Sequence, residues 1–150
     1  KMSLVLDYIV RKYGAQLILN YMPNQRKEIL LLLNKITLKT KQSLLFKKSP
    51  RSVSEYISIV SCCDAIIGNE GGAINIAKSL NIPSFAIFSP QIDPEVWNTS
   101  SQNQIGVHIK NYIKNFKSFK LNSKQIFSLY NSFEFDYFKQ ELSIFMNRLK

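Results

Sequence analysis

Four short apolar runs constrain this chain most: Q-L-I-L-N at 16–20, S-L-L-F at 43–46, A-I-I-G at 65–68 and S-F-A-I-F at 84–88. Each has the length of a short buried strand. The stretches between them carry apolar residues at helical spacing. Met2, Val5, Leu6, Ile9 and Tyr13 follow that spacing, and Gly14 suits the position just past a helix end. Pro23 and Asn24 open a second helix that runs to about Asn34. Its apolar run from Ile29 to Leu33 predicts burial on more than one side. Ser52 and Glu55 have the S-x-x-E spacing of a capping box, and Val53, Tyr56, Ile57 and Val60 follow at helical spacing. Ala73, Ile76, Ala77 and Leu80 share one face of a helix over 72–80. Ile105 to Ile109 predicts a fifth strand, and Phe135, Phe138, Leu142, Phe145 and Leu149 mark a C-terminal amphipathic helix. Residues 89–104 and 110–122 read as long connections.

Apolar strands alternating with helices predict an α/β domain with a doubly wound parallel sheet covered on both faces. Such domains usually open with a strand, whereas this chain opens with a helix, so a first strand is expected to be missing. The length of 150 residues suits a single domain over 1–150. No apolar run nears the ~20 residues of a membrane span, and no signal-peptide pattern is present. The expectation is a soluble, cytoplasmic protein. Cys62 and Cys63 are adjacent, which suits neither a disulfide framework nor a metal site. Their place before a predicted buried strand predicts buried free thiols.

The net charge of +10 is unevenly spread. Residues 1–51 carry 11 basic and 2 acidic side chains, residues 52–100 carry 1 and 5, and residues 101–150 carry 8 and 3. Basic surface attracts nucleic acid, anionic lipid or phosphorylated small molecules, and it equally suits a solvated lysine-rich exterior. The acidic middle holds the densest ligand-type motif and no nucleic-acid motif is present, which argues against a nucleic-acid partner.

That motif is I-G-N-E-G-G-A-I-N-I-A-K-S-L at 67–80, between a strand and a helix. Gly68, Gly71 and Gly72 permit close approach of backbone amides to a ligand. The following helix presents unpaired N–H groups, a natural cradle for diphosphate. The segment is neither G-x-G-x-x-G nor a P-loop. Glu70 would repel a bare phosphate and better suits the hydroxyls of a sugar. A plain glycine-rich strand–helix turn, with Glu70 as a first-turn acid, explains the same residues.

Residues 64–90, D-A-I-I-G-N-E-G-G-A-I-N-I-A-K-S-L-N-I-P-S-F-A-I-F-S-P, resemble the donor-binding half of glycosyltransferase family 9, the ADP-heptose:lipopolysaccharide heptosyltransferases and their relatives. The family pattern is roughly I-G-x-D-[ST]-G-x-x-H-x-A-x-A-L-x-x-P-x-x-x-[LI]-[FY]-[GS]-P. Residues 49–64, Trp97 and Val107 to Lys110 fit more loosely. The resemblance implies a GT-B fold, in which two Rossmann-like domains face across a cleft, with this chain as the C-terminal, donor-binding one. It implies inverting transfer of a sugar, heptose-type by family, from a nucleotide diphosphate to a lipopolysaccharide-core-like acceptor in bacteria. No metal or other cofactor is implied; the ADP-heptose-like donor is a substrate. The catalytic base is expected on the N-terminal domain, so no catalytic residue is assigned to this chain.

By resemblance, Glu70 contacts the transferred sugar, and the amides of Gly71 and Gly72 face the diphosphate, with Gly68, Asn69 and Asn75 completing that part of the site. Arg51 and Ser52 fall near the nucleotide base, and Gln25 near the ribose. Glu70 stands where the family has Asp, Gly71 where it has Ser or Thr, and Asn75 where it has His. These departures leave the donor's base and sugar open. The implied partners are the donor, a lipid-linked saccharide acceptor, the N-terminal domain and the anionic inner face of the bacterial inner membrane. Lys110, Lys114, Lys117 and Lys120, interleaved with Tyr112, Phe116 and Phe119, could face lipid headgroups or form a solvated loop. His108 suits a core or edge role in its strand, and Trp97 a sugar-pocket wall or a packing anchor. The alternative to an enzyme is a non-catalytic α/β module that binds a nucleotide or another phosphorylated ligand.

Overall fold

The computed structural model describes residues 1–46, 50–94, 103–113 and 121–149. Trp97, Lys114, Phe116, Lys117, Phe119 and Lys120 lie outside the described residues. The chain divides into two compact units, Lys1–Tyr56 and Ile57–Lys150. Both combine helices with a small parallel sheet, so the class is α/β. Among the described residues the strands form two sheets, not one continuous alternation.

In the first unit, α1 (Met2–Tyr13) ends at Gly14, whose φ of 67° is left-handed and whose N–H reaches the Val10 carbonyl. Strand β1 (Leu17–Ile18) pairs in parallel with β2 (Leu44–Phe46), and the register slips between Leu17 and Ile18. Helix α2 (Arg26–Lys35) begins after a 3-10 turn at Pro23–Gln25. The expected burial of its apolar run is not found. Leu30 is 55% and Leu31 61% exposed, and only Ile29, Leu32 and Leu33 turn partly inward. A short helix not read from the sequence, α3 (Leu38–Gln42), follows. Asp7 ties it to α1: its Oδ1 accepts from the Thr37 N–H at 3.0 Å, the Thr37 hydroxyl at 2.9 Å and the Thr40 hydroxyl at 2.6 Å. Burial pushes the Asp7 carboxyl up, but these donors and Arg11 outweigh it and hold it below its ordinary value.

The division between the units falls within α4 (Val53–Val60). Cys62 and Cys63 occupy the turn after this helix. Cys62 is exposed and Cys63 half-buried, so the expected buried thiols are not formed. The helix stops at Val60, and the turn that closes it lies at the surface.

The second unit contains β3 (Ile66–Asn69), α5 (Gly72–Ser79), β4 (Ser84–Ile87) and β5 (Gln104–Val107), all strands parallel, in the order β3-β4-β5. Two further helices follow, α6 (Ser123–Ser132) and α7 (Phe135–Arg148). Strand β4 is buried along its whole length, as the continuous apolar run S-F-A-I predicts for a sheet covered on both faces. Side-chain alternation assigns the covers. Ala86 and Phe88 pack with Ile74 of α5. Phe85, on the opposite face, meets Phe138 and Phe145 of α7 at 6.1 and 5.6 Å between ring centroids. Phe133 extends this aromatic cluster to Phe138 at 5.2 Å and to Tyr112 at 5.6 Å. The Tyr112 hydroxyl donates to Glu141 Oε1 at 2.6 Å, and burial with that bond pushes the phenol well above its ordinary value. Among the described residues no helix is long and apolar enough to cross a membrane.

Candidate functional site

The carboxyl ends of parallel strands are where α/β sheets place ligands, because the following helix N-termini point there. In the second unit, Asn69 closes β3 and Glu70 follows it. The Glu70 N–H donates to the Ile87 carbonyl at 3.1 Å, which carries the β3–β4 ladder one residue past the strand. The side chain then turns to the end of β4, where Glu70 Oε2 accepts from the Ser89 N–H at 3.0 Å. One carboxylate therefore sits across two strand ends. Burial pushes its pKa up, and the hydrogen bond from Ser89 only partly opposes the shift.

Gly71 makes the corner into α5. Its φ of 145° with ψ of −170° is a conformation L side chains rarely adopt. A side chain here would cost on the order of 1–3 kcal/mol in backbone strain alone. Gly72 starts the helix with no such constraint, and a Cβ there would meet nothing within 4 Å. The Asn75 N–H donates to the Gly71 carbonyl at 3.0 Å, the first turn of the helix. At its other end α5 closes on Asn81, whose φ is 57°, with the Ile82 N–H reaching back to the Ala77 carbonyl.

Between the strand ends and α5 lies a cavity of about 220 Å³, lined by Glu70, Gly71, Gly72, Ile74, Asn75, Lys78, Phe88 and Ile92. Four residues expected from the sequence, Glu70, Gly71, Gly72 and Asn75, thus come together on one wall. Gly68 pairs with Ala86 inside the sheet and serves the ladder. Asn69 is exposed beside the site, where its Oδ1 accepts from the Tyr130 hydroxyl at 3.3 Å. Tyr130 belongs to α6. Burial raises its phenol pKa, the Asn69 bond opposes this, and the Glu70 charge adds to the rise.

Gln25, Arg51 and Ser52 belong to the first unit and do not line this cavity. Gln25 Oε1 accepts from the Met22 N–H at 2.9 Å, a cap on the 3-10 turn. Ser52 Oγ accepts from the Glu55 N–H at 3.1 Å, while Glu55 Oε2 accepts from the Arg51 N–H at 2.7 Å. The S-x-x-E spacing at 52–55 is accordingly a working cap for α4.

Lys78, Phe88, Ile92 and Tyr130 are not among the site residues expected from the sequence. Lys78 follows Asn75 by three positions on α5, so the helical repeat carries a signal for it. Phe88 follows the end of β4, Ile92 lies in the turn after it and Tyr130 comes in on α6, and none of them has a local signal. Burial lowers the Lys78 pKa. His108, just after β5, is buried, which selects the core from the core or edge role expected of it. Its Nδ1 accepts from the Lys110 N–H at 2.9 Å. Burial and Lys110 lower its pKa, while the Ser89 and Pro90 carbonyls and Asp93 oppose them. Among the described residues no group of three or more His, Cys, Asp or Glu comes together to hold a metal ion.

Chemically, the cavity offers a carboxylate that accepts hydrogen bonds, the amide-bearing start of a helix, one ammonium group and an apolar lining. That combination suits a polyhydroxylated ligand with an anionic part. No protein-family model, curated protein or solved structure matches the chain.

Proposed function

We propose that this chain is the donor-binding domain of an inverting glycosyltransferase of the family 9 type, with a Rossmann-like fold forming the C-terminal half of a GT-B enzyme. The observation that carries the reading is Glu70, fixed across two strand ends by the Ser89 amide and facing the same cavity as the start of α5. The diphosphate of a nucleotide sugar sits at the Gly71 and Gly72 amides, and the sugar hydroxyls donate to Glu70. In the transfer, an acceptor hydroxyl attacks the anomeric carbon as its bond to the diphosphate oxygen breaks. A base on a companion N-terminal domain takes the hydroxyl proton, and the diphosphate leaves with the bonding electrons. The helix-end amides stabilise the charge that develops on the leaving group. The donor is a substrate, and no other cofactor is part of the reading. The acceptor is a lipid-linked saccharide, met in the cytoplasm at the inner face of the bacterial inner membrane.

The second reading is a module that binds a nucleotide or other phospholigand without transfer. Asn75 favours it, standing where the family has a histidine that can carry charge.

Calorimetric titration of ADP, UDP and GDP tests the donor-domain reading, with Gly72→Asp as the control. Open space at Gly72 accepts the Cβ, and an acid in the first turn suits the helix, so this variant is expected to fold, which circular dichroism checks. Its carboxylate occupies the charge position of the diphosphate. Binding of one nucleotide by the wild type, weakened by roughly tenfold or more in the variant, is expected from the loss of a charge-assisted contact. A folded wild-type protein that binds none of the three would overturn the reading.

A further inference from the structure

His108 lies at the same end of the sheet as Glu70, and the donor-domain reading gives it no task. The three parallel strands stop in step: the register pairs Asn69 with Ile87 and Ile87 with Val107. Glu70, Phe88 and His108 are the next residues out. The Phe88 N–H donates to the Val107 carbonyl at 2.8 Å, which holds the end of β4 against the end of β5. Ser89 follows, and its N–H donates to Glu70 Oε2 at 3.0 Å. Its carbonyl accepts from the Ile92 N–H at 3.1 Å and has a second lone pair to offer. Pro90 is buried and disfavours helical backbone at Ser89.

His108 is 1% exposed. It caps the 3-10 turn Ile109–Asn111, where its Nδ1 accepts from the Lys110 N–H at 2.9 Å. A neutral imidazole has one donor and one acceptor nitrogen, so the proton belongs on Nε2. A buried N–H needs an acceptor, and the Ser89 and Pro90 carbonyls serve this imidazole. Burial favours the neutral form; Lys110 adds to that, and Asp93, paired with Lys110 at 3.4 Å, opposes it.

We propose that His108 is a positioning residue: its Nε2–H holds the Ser89–Pro90 backbone and thereby aims the Ser89 N–H that orients the Glu70 carboxylate. The link runs across all three strand ends, from β5 through β4 to β3. That Glu70 then meets a sugar rests on the donor-domain reading; the positioning itself is read without a ligand. A histidine that served only to fill the core and cap the 3-10 turn would leave Glu70 unaffected.

Two variants of the full chain separate the two nitrogens. In His108→Gln the side-chain amide nitrogen reaches the place of Nε2 and keeps a donor for the carbonyls. In His108→Asn the amide oxygen takes the place of Nδ1 and keeps the cap, while the donor is lost. Circular dichroism establishes folding, and carbon NMR follows the Glu70 carboxyl, its signal assigned with Glu70→Gln. His108→Asn should push the Glu70 pKa further up, because a displaced Ser89 N–H no longer opposes burial. His108→Gln should leave it near the wild-type value. Calorimetry with ADP, UDP and GDP and their glucose conjugates gives the ligand side. His108→Asn should lose about fivefold or more of the preference for a nucleotide sugar over its bare nucleotide, as for one hydrogen bond to a charged group, and His108→Gln should keep it. An unchanged Glu70 titration in folded His108→Asn, or equal shifts in both variants, would overturn the proposal. Nitrogen NMR of the wild type tests it without any substitution: Nε2 should carry the proton at pH 7, and a proton on Nδ1 instead would overturn it. The expected Glu70 titrations with no nucleotide bound would overturn the donor-domain reading and leave the positioning of Glu70 supported.

Discussion

Glu70 carries a cost that its surroundings only partly offset. Its carboxyl titrates above the ordinary 4.5 because burial disfavours the charged form, and the Ser89 N–H recovers part of the loss. At pH values between the ordinary and the raised pKa, the folded chain holds a proton that the unfolded chain has released. The Glu70 contribution to stability therefore falls as pH rises through that window, and the penalty remains in full above it. Glu70→Gln keeps an acceptor for Ser89 and removes the charge. We expect this variant to be more stable than the wild type at pH 7, with the difference shrinking toward pH 4.5 and below. Urea denaturation across that pH range checks it. Such a cost, borne by a residue lining a cavity, makes Glu70 a candidate for a binding role. Four of the lining residues are legible in the sequence because E-G-G and Asn75 sit in one strand–helix turn, where contiguity and spatial proximity coincide. Phe88 and Ile92, at and just beyond the end of β4, and Tyr130 on α6 meet the site through tertiary packing, which no local spacing encodes.

At the scale of elements, period decides what can be read. Helix α7 follows its apolar spacing and buries Phe138 completely. Helix α2 has an apolar run with no preferred side, and its outer face keeps Leu31 at 61% exposed. Phe138→Ala should cost about 3–5 kcal/mol, as for other buried aromatics. Leu31→Ala should cost less than about 0.5 kcal/mol. Urea midpoints of the two variants measure the contrast. Helix α3 is only five residues long, too short for a periodic signal in the sequence. Helix α6 buries no residue fully, so no apolar stripe marks it in the sequence. Its start is nevertheless written in N-S-K-Q: Asn122 Oδ1 accepts from the Gln125 N–H, and Gln125 Oε1 from the Asn122 N–H, each at 2.9 Å. Strand β4 was readable in full, since a run buried on both faces needs no alternation to stand out.

Over the whole molecule, strand–helix alternation is visible in the sequence, but the grouping of strands is not. Both sheets use the same kind of short apolar run, and pairing is settled by ladder hydrogen bonds between distant residues. A two-residue β1 with a slipped register offers too little ladder to be recognised in advance. Charge is likewise unevenly placed: residues 1–51 hold most of the positive excess, while the candidate site lies in the second unit, in the acidic stretch 52–100. The candidate site is thus built from a few placed groups and does not follow the net charge of +10. The most direct measurement is the affinity of the full chain for a nucleotide and for the matching nucleotide sugar, in the wild type and in Glu70→Ala. We expect the wild type to prefer the sugar-bearing ligand. Glu70→Ala should hold the bare nucleotide as well as before and lose the preference, because the proposed function places Glu70 at the sugar and not at the diphosphate. Equal loss for both ligands, or no loss for either, would contradict the assignment of Glu70 to the sugar.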